Sequence, residues 1–141
     1  MNIFKTLCVN ENINTSSGYT RISPWNTNPV INQGGFSVNS TYITVPVSGI
    51  YIINCNLFVF NNDNTREAPG FIFQINNNNQ NEESGSTYMR NSDHDNASTC
   101  LNVVYNLSAG DQISLANRQF GDTSTCQLIG SSSSINIYTL E

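Results

Sequence analysis

The sequence predicts an all-β domain in which two antiparallel sheets pack face to face. Apolar and polar residues alternate with a period of two in at least five segments, as they do along half-buried strands. No segment shows the 3.6-residue apolar period of an amphipathic helix. Clusters of Asn, Gly and Ser separate the strand-like segments, which is typical of a sandwich or barrel.

The first strands are short and end at clear turn signals. Residues 4–9 form the first predicted strand, and residues 19–22 form the second, which Ser23-Pro24 ends. Gly34-Gly35 is a turn before a strand at 36–38, and residues 41–45 alternate as a half-buried strand should. A turn over residues 46–49 closes this part of the chain.

Residues 50–60 are the strongest strand and carry large apolar side chains on both faces. In a two-sheet sandwich one face meets the opposite sheet, so the other face needs a second cover. A neighbouring subunit and an overlying loop both satisfy this requirement, and this segment alone does not choose between them.

The second half of the chain supplies the remaining strands. We predict strands at residues 71–75, 87–90, 101–107, 112–120 and 135–140. The tract 76–86 is predicted as a loop or an overlong turn, residues 91–96 as a polar loop, and 121–130 is ambiguous. About ten strands result, which two packed sheets accommodate best.

Length and composition limit the possible functions. A chain of 141 residues supports one domain, 1–141, which needs neither metal nor disulfide to fold. Only 11% of residues are charged, the net charge is −5, and Lys5 is the only lysine, so we expect no nucleic-acid partner. No apolar run approaches the roughly 20 residues of a membrane helix, so we expect no membrane insertion.

The four cysteines allow two interpretations. None of them has C-x-x-C spacing, which argues against a zinc or redox site. Two disulfides are possible, but free thiols fit at least as well, because Cys55 and Cys100 lie inside apolar strand-like runs. We therefore predict that the fold does not depend on disulfides. No secretory signal is visible in residues 1–9.

At this point the order of motifs resembles a known family. Residues 42–51, Tyr-Ile-Thr-Val-Pro-Val-Ser-Gly-Ile-Tyr, are similar to the Phe-Thr-Ala-Pro-Val-x-Gly-x-Tyr motif of the C1q globular domain. Downstream, Leu107 and Gly110-Asp111 resemble that family's Val-x-Leu-x-x-Gly-Asp. The departures from the pattern include Ile137 in place of a glycine, Ile53 in place of the second aromatic residue, and an asparagine tract in place of Lys-Asn-Gly.

The resemblance implies a ten-stranded antiparallel jelly roll, shared with tumour necrosis factor, that assembles as a homotrimer through one of its two sheets. A trimer would supply the second cover for residues 50–60, so we prefer this interpretation to simple burial. The predicted interface residues are Ile50, Ile52, Phe58 and Phe60.

Four residues are candidates for binding a ligand. Arg66, Arg90 and Arg118 are three of only four arginines, and a guanidinium can hold a carboxylate, including that of sialic acid, in a bidentate contact. Ordinary surface arginines are the simpler explanation. Trp25 could stack on a sugar, although we favour a role as a buried plug.

The segment Asp93-His94-Asp95 is the only acid–histidine cluster. Asp93 and Asp95, with Glu82 and Glu83, could supply hard oxygen ligands for Ca²⁺. We favour a solvated loop, and no other cofactor is expected. The 24 asparagines suit hydroxyl-rich ligands, but we attribute most of them to compositional bias.

Together these observations predict a non-catalytic trimeric recognition head at an extracellular, cell or particle surface, with a glycan or cell-surface protein as ligand. The single histidine and the absence of a G-x-S-x-G elbow argue against an enzyme. One alternative is a structural trimerisation knob that caps a fibre, spore coat or virion protein. Another is a cytokine-like receptor ligand.

Overall fold

A computed structural model describes residues 1–13, 18–61, 65–90, 93–120 and 126–140, without the side chains of 81–83. Within these residues the only helical element is one 3₁₀ turn, Gly130–Ser132, and no helix is long and apolar enough to cross a membrane. The strands are β1 Ile3–Leu7, β2 Glu11–Ile13, β3 Thr20–Ile22, β4 Ile31–Gln33, β5 Ser37–Val38, β6 Ile43–Thr44, β7 Gly49–Asn61, β8 Pro69–Ile75, β9 Asn78–Ser86, β10 Asn96–Leu107, β11 Gln112–Gln119, β12 Cys126–Leu128 and β13 Ser134–Leu140.

The first sheet is built around β7, the long apolar strand of the sequence. Strand β10 pairs with it along one side, while β13 and β12 divide the other side between them. The order continues from β13 to β1 and β4, and from β12 to β2, with every pair antiparallel.

The second sheet has β11 near its centre. Strands β8 and β9 extend it on one side, and β6, β5 and β3 lie on the other. The two-sheet all-β architecture is therefore confirmed.

The core lies between the sheets and takes one face from each. Phe4 and Phe36 pack with ring centroids 5.2 Å apart, and the Phe36 and Tyr51 rings meet edge-on at 6.1 Å. The Tyr51 hydroxyl donates a hydrogen bond of 2.6 Å to the carbonyl of Val47, so this buried phenol is satisfied at the turn that precedes β7.

Most of the asparagine tract lies in strand β9, so the prediction of a loop or overlong turn over 76–86 was wrong for Asn78–Ser86 and holds only at Asn76 and Asn77. Asn76 and Asn77 have φ values of 49° and 69°, the left-handed conformation that two-residue hairpin turns require and that asparagine tolerates better than most residues. The Asn76 side chain donates to Asp111 and accepts from the backbone N–H of Gln112, which fixes the hairpin to the turn before β11.

Other boundaries also differ from the sequence prediction. Strands β2 and β4 were not predicted, and β10 starts at Asn96. The strand predicted at 87–90 is reduced to an isolated bridge between Glu67 and Met89. Because these elements are short or polar, their pairing depends on neighbours that are distant in sequence.

All four cysteines are free thiols. Cys8, Cys55 and Cys126 are buried, and burial raises the pKa of Cys8 and Cys126 to about 12 and that of Cys55 well above its usual value. Cys100 is exposed, in contrast to the apolar setting expected from its neighbours, because it faces away from the core on β10.

Candidate assembly and recognition surfaces

The first candidate surface is the outer face of the first sheet, here called the assembly face, which carries the outward side chains of β1, β7, β10 and β13. On β7 the odd-numbered residues from Tyr51 to Val59 are buried in the core. The even-numbered residues therefore point outward. Ile50 is 46% exposed, and Ile52, Phe58 and Phe60 are half-buried. All four predicted interface residues thus share one face.

Strand register extends this apolar surface across the sheet. Ile52 lies between Val104 on β10 and Tyr138 on β13, and Ile3 on β1 is the next neighbour beyond Tyr138 across the sheet. Leu140 lies opposite Ile50 and is 54% exposed, while Val104 is 58% exposed. One end of the assembly face is therefore broadly apolar, and Phe58 and Phe60 occupy the other end.

A band of amides crosses the middle of the assembly face. Asn102, Asn54 and Asn136 are direct register partners on β10, β7 and β13. The Asn54 amide donates a 3.0 Å hydrogen bond to the Tyr138 hydroxyl, and Lys5 lies next to Asn136 on β1. This band was not predicted from the sequence, because most of the asparagines were attributed to compositional bias. The signal available in the sequence was that these asparagines all occupy even-numbered positions in their strands.

The second candidate surface lies on the outer face of the second sheet, here called the arginine surface, formed by Tyr19, Tyr88, Arg118 and Phe120. The Arg118 guanidinium carbon lies 4.2 Å from the Phe120 ring centroid and 5.6 Å from that of Tyr19. Tyr88 and Phe120 are 57% and 54% exposed. Of the two rings that contact the cation, Phe120 is therefore exposed and Tyr19 is half-buried.

The other two predicted arginines lie at the same end of this sheet. Arg118 pairs with Gly70, and the β8–β9 register continues from there to the bridge between Glu67 and Met89. Arg66 and Arg90 immediately flank that bridge, and both are exposed. The fold therefore gathers three side chains that are far apart in sequence.

A buried carboxylate orders the segment that carries Arg66. Glu67 is fully buried, and its carboxylate accepts hydrogen bonds from the Thr65 hydroxyl and the Gln119 amide. The Gln119 side chain in turn accepts from the backbone N–H of Ala68 at 2.7 Å. These contacts attach the end of β11 to the chain that enters β8.

Arg21 is a cation of the same face that sequence reasoning did not select. It pairs with Ala116, two residues from Arg118 on β11. Its guanidinium donates to the Gln74 side-chain oxygen at 2.9 Å and to the Tyr42 hydroxyl. Arg21 is therefore engaged by the protein itself, whereas the contacts of Arg118 are with aromatic rings.

Two other candidates lie elsewhere. Trp25 is 1% exposed, and its indole donates to the Thr41 carbonyl at 3.1 Å, so its ring fills the core instead of facing a ligand. Asp93 and His94 are exposed, and Asp95 accepts a hydrogen bond from the Asn96 amide. Among the described residues no group of three or more His, Cys, Asp or Glu side chains could hold a metal ion.

Comparison with known proteins gives matches in structure only. No family model and no curated protein matches the chain in sequence. Murine APRIL at pH 5.0 superposes with a TM-score of 0.66 at 19% identity, covering 99% of this chain and 98% of its own. Eiger TNF from S. frugiperda gives a TM-score of 0.60 at 14% identity, covering 96% of this chain and 94% of its own.

A complement protein belongs to the same group of neighbours. The globular domain of zebrafish complement 1qA protein superposes with a TM-score of 0.59 at 14% identity, covering 100% of this chain and 98% of its own. Since both kinds of neighbour match over nearly their whole length, the chain has the C1q/TNF-like jelly-roll fold.

Proposed function

We propose that the protein is a non-catalytic recognition head that assembles as a homotrimer through the assembly face and binds a glycan or protein ligand at an extracellular, cell or particle surface. The observation that carries this proposal is the concentration of apolar side chains on one outer sheet face. Exposed apolar patches of this kind are typical of protein–protein contact sites.

The composition of that face favours another copy of this chain as the partner. Of the exposed large apolar residues in the described part of the chain, Leu7, Ile31, Ile50, Val104 and Leu140 lie on this face. Lys5 is the only charged side chain among its described strand positions, so the face lacks charges with which to select an oppositely charged partner. Apolar packing between identical subunits needs no such selection.

A second candidate function is a cytokine-like receptor ligand. Eiger, one of the structural neighbours, is a TNF, and murine APRIL gives a higher TM-score than the complement domain. Both candidates use the same assembled head and differ in what its outer surface binds.

Light scattering coupled to size exclusion tests the assembly. We expect a mass of three 15.6 kDa protomers, unchanged between low and high salt, because apolar burial is not screened by ions. A mass of one protomer at micromolar concentration in both buffers contradicts the proposal. Binding of the assembled protein to glycan arrays and to host-cell surface proteins then separates the two candidate functions.

A further inference from the structure

We propose that the arginine surface is a binding site for a sugar that carries a carboxylate, with Arg118 as the anchor of the carboxylate. This inference rests on the proposed recognition function, whose ligand class it names. It does not depend on the assembly face, since Arg118 lies on the other sheet.

The contacts of Arg118 are the first observation that supports this site. A guanidinium has five N–H donors, and here it stacks beside Phe120 and Tyr19. Within the described residues no hydrogen bond or ion pair engages it, and its Nε atom is buried without an acceptor. The rings fix the position of the cation while its charge stays unneutralised, as an anion site requires.

The placement of the Phe120 ring is the second observation that supports the site. Gly70 lies opposite Arg118 on β8, and a Cβ atom at this position would overlap the Phe120 ring. The ring therefore lies over bare backbone, and the backbone N–H of Phe120 donates to the Ala68 carbonyl at 3.0 Å. This packing sets the platform on which Arg118 stacks, so the arrangement is built into the sheet.

The charge of the ligand follows from the cations at this position. Arg21, the neighbouring cation on the face, already donates to Gln74 and Tyr42. Of these two neighbouring cations, Arg118 is left for the ligand, and its planar guanidinium matches the two oxygens of a carboxylate.

The body of the ligand follows from the remaining surface. The exposed rings of Phe120 and Tyr88 offer apolar faces to the C–H groups of a sugar. Ser84 and Ser86, exposed on β9, lie opposite Ile72 and Gly70 and place hydroxyl groups on the same face. A carboxylate attached to a hydroxyl-rich ring satisfies all of these groups.

Sialyllactose, with lactose as the neutral control, is the probe that tests the site by ligand-observed NMR on the full chain. We expect sialyllactose to bind and lactose not to bind. Arg118→Gln should weaken sialyllactose binding by at least about tenfold, because a hydrogen-bonded charged contact is lost. Arg118→Lys should also weaken it, since an ammonium lacks the planar fork.

Matched variants distinguish a built site from general electrostatics. Arg21→Gln removes the same charge from the same face and should change sialyllactose binding by less than about twofold, because that guanidinium is engaged elsewhere. Gly70→Ala should weaken binding by displacing Phe120 while Arg118 is retained. Before binding is compared, each variant must show the same thermal unfolding curve as the wild type. Equal losses for Arg21→Gln and Arg118→Gln overturn the inference.

The remaining outcomes separate this inference from the proposed assembly. The oligomeric state is measured on the same samples, and Arg118→Gln should leave it unchanged. Failure of sialyllactose to bind an assembled wild-type protein overturns the sugar site and leaves the assembly standing. If the protein is a monomer and binds sialyllactose through Arg118, the assembly is overturned and the sugar site stands. If N-acetylglutamate binds as well as sialyllactose, the carboxylate anchor is right and the sugar assignment is overturned.

Discussion

Replacing Phe58 with aspartate tests the assembly most directly. Phe58 is half-buried in the protomer and points outward from β7, so an aspartate there stays hydrated in the isolated subunit. In the assembled protein the carboxylate would be covered by another subunit. The nearest cation across this face is Lys5, in the row of Asn54, which lies about 13 Å along the strand from residue 58. The charge would therefore be unpaired.

The free energy of assembly that Phe58→Asp would remove can be calculated from these positions. An uncompensated charge in a covered site costs about 3–5 kcal/mol, and the lost burial of a phenyl ring adds about 1.5–3 kcal/mol. Each trimer would carry three such sites, and each 1.4 kcal/mol is a factor of about ten in affinity. We therefore expect Phe58→Asp to be a folded monomer at micromolar concentration in light scattering.

Two controls bracket this result. Leu57→Asp places a carboxylate at a core position that is 1% exposed, so the protomer itself should fail to fold and lose its cooperative melt. Phe120→Asp changes an exposed aromatic residue on the opposite sheet and should remain trimeric. A Phe58→Asp protein that still forms a trimer would refute the placement of the interface.

Further predictions follow from the thiols and the amide band. Reductant should leave the thermal midpoint and the free energy of unfolding unchanged, because all four cysteines are free. A decrease of about 2 kcal/mol or more in the free energy of unfolding would contradict this. At pH 8 a thiol reagent should leave Cys8 and Cys126 unmodified, since a pKa of about 12 keeps them protonated and unreactive; prompt labelling of both in the folded protein would contradict this. Cys100 should be labelled faster in Phe58→Asp than in wild type, and equal rates would argue that its face is uncovered in both. Asn54→Val should strengthen assembly by about 1 kcal/mol per protomer in a dilution series, and weaker assembly would show that the amide pairs across the interface.

Strand β7 was predictable from sequence because its apolar run is long and rich in β-branched and aromatic residues, but the run did not show which parity faces outward. The motif resemblance identified the fold. Strand β9 was not predictable in this way, because asparagine is unfavourable in strands and its pairing with β8 is set by the turn at Asn76 and Asn77.

The candidate sites were predictable only in part. Single arginines could be chosen because the chain has so few, but their gathering at one end of the second sheet depends on the register of β8, β9 and β11. The role of Arg21 depends on Gln74 and Tyr42, which are distant in sequence. No local pattern encodes such contacts.

The cations are distributed unequally between the two surfaces. The only lysine lies on the first sheet, whereas Arg21 and Arg118 lie on the second sheet and Arg66 and Arg90 at its end. A chain with net charge −5 thus places four of its five cations away from the face that apolar packing would cover. Burying arginines in an interface without partners would cost assembly energy, while exposed arginines can meet an anionic ligand. The scarcity of charges on the first sheet favours self-association, and the arginines on the second sheet make that sheet suitable for recognition of a ligand.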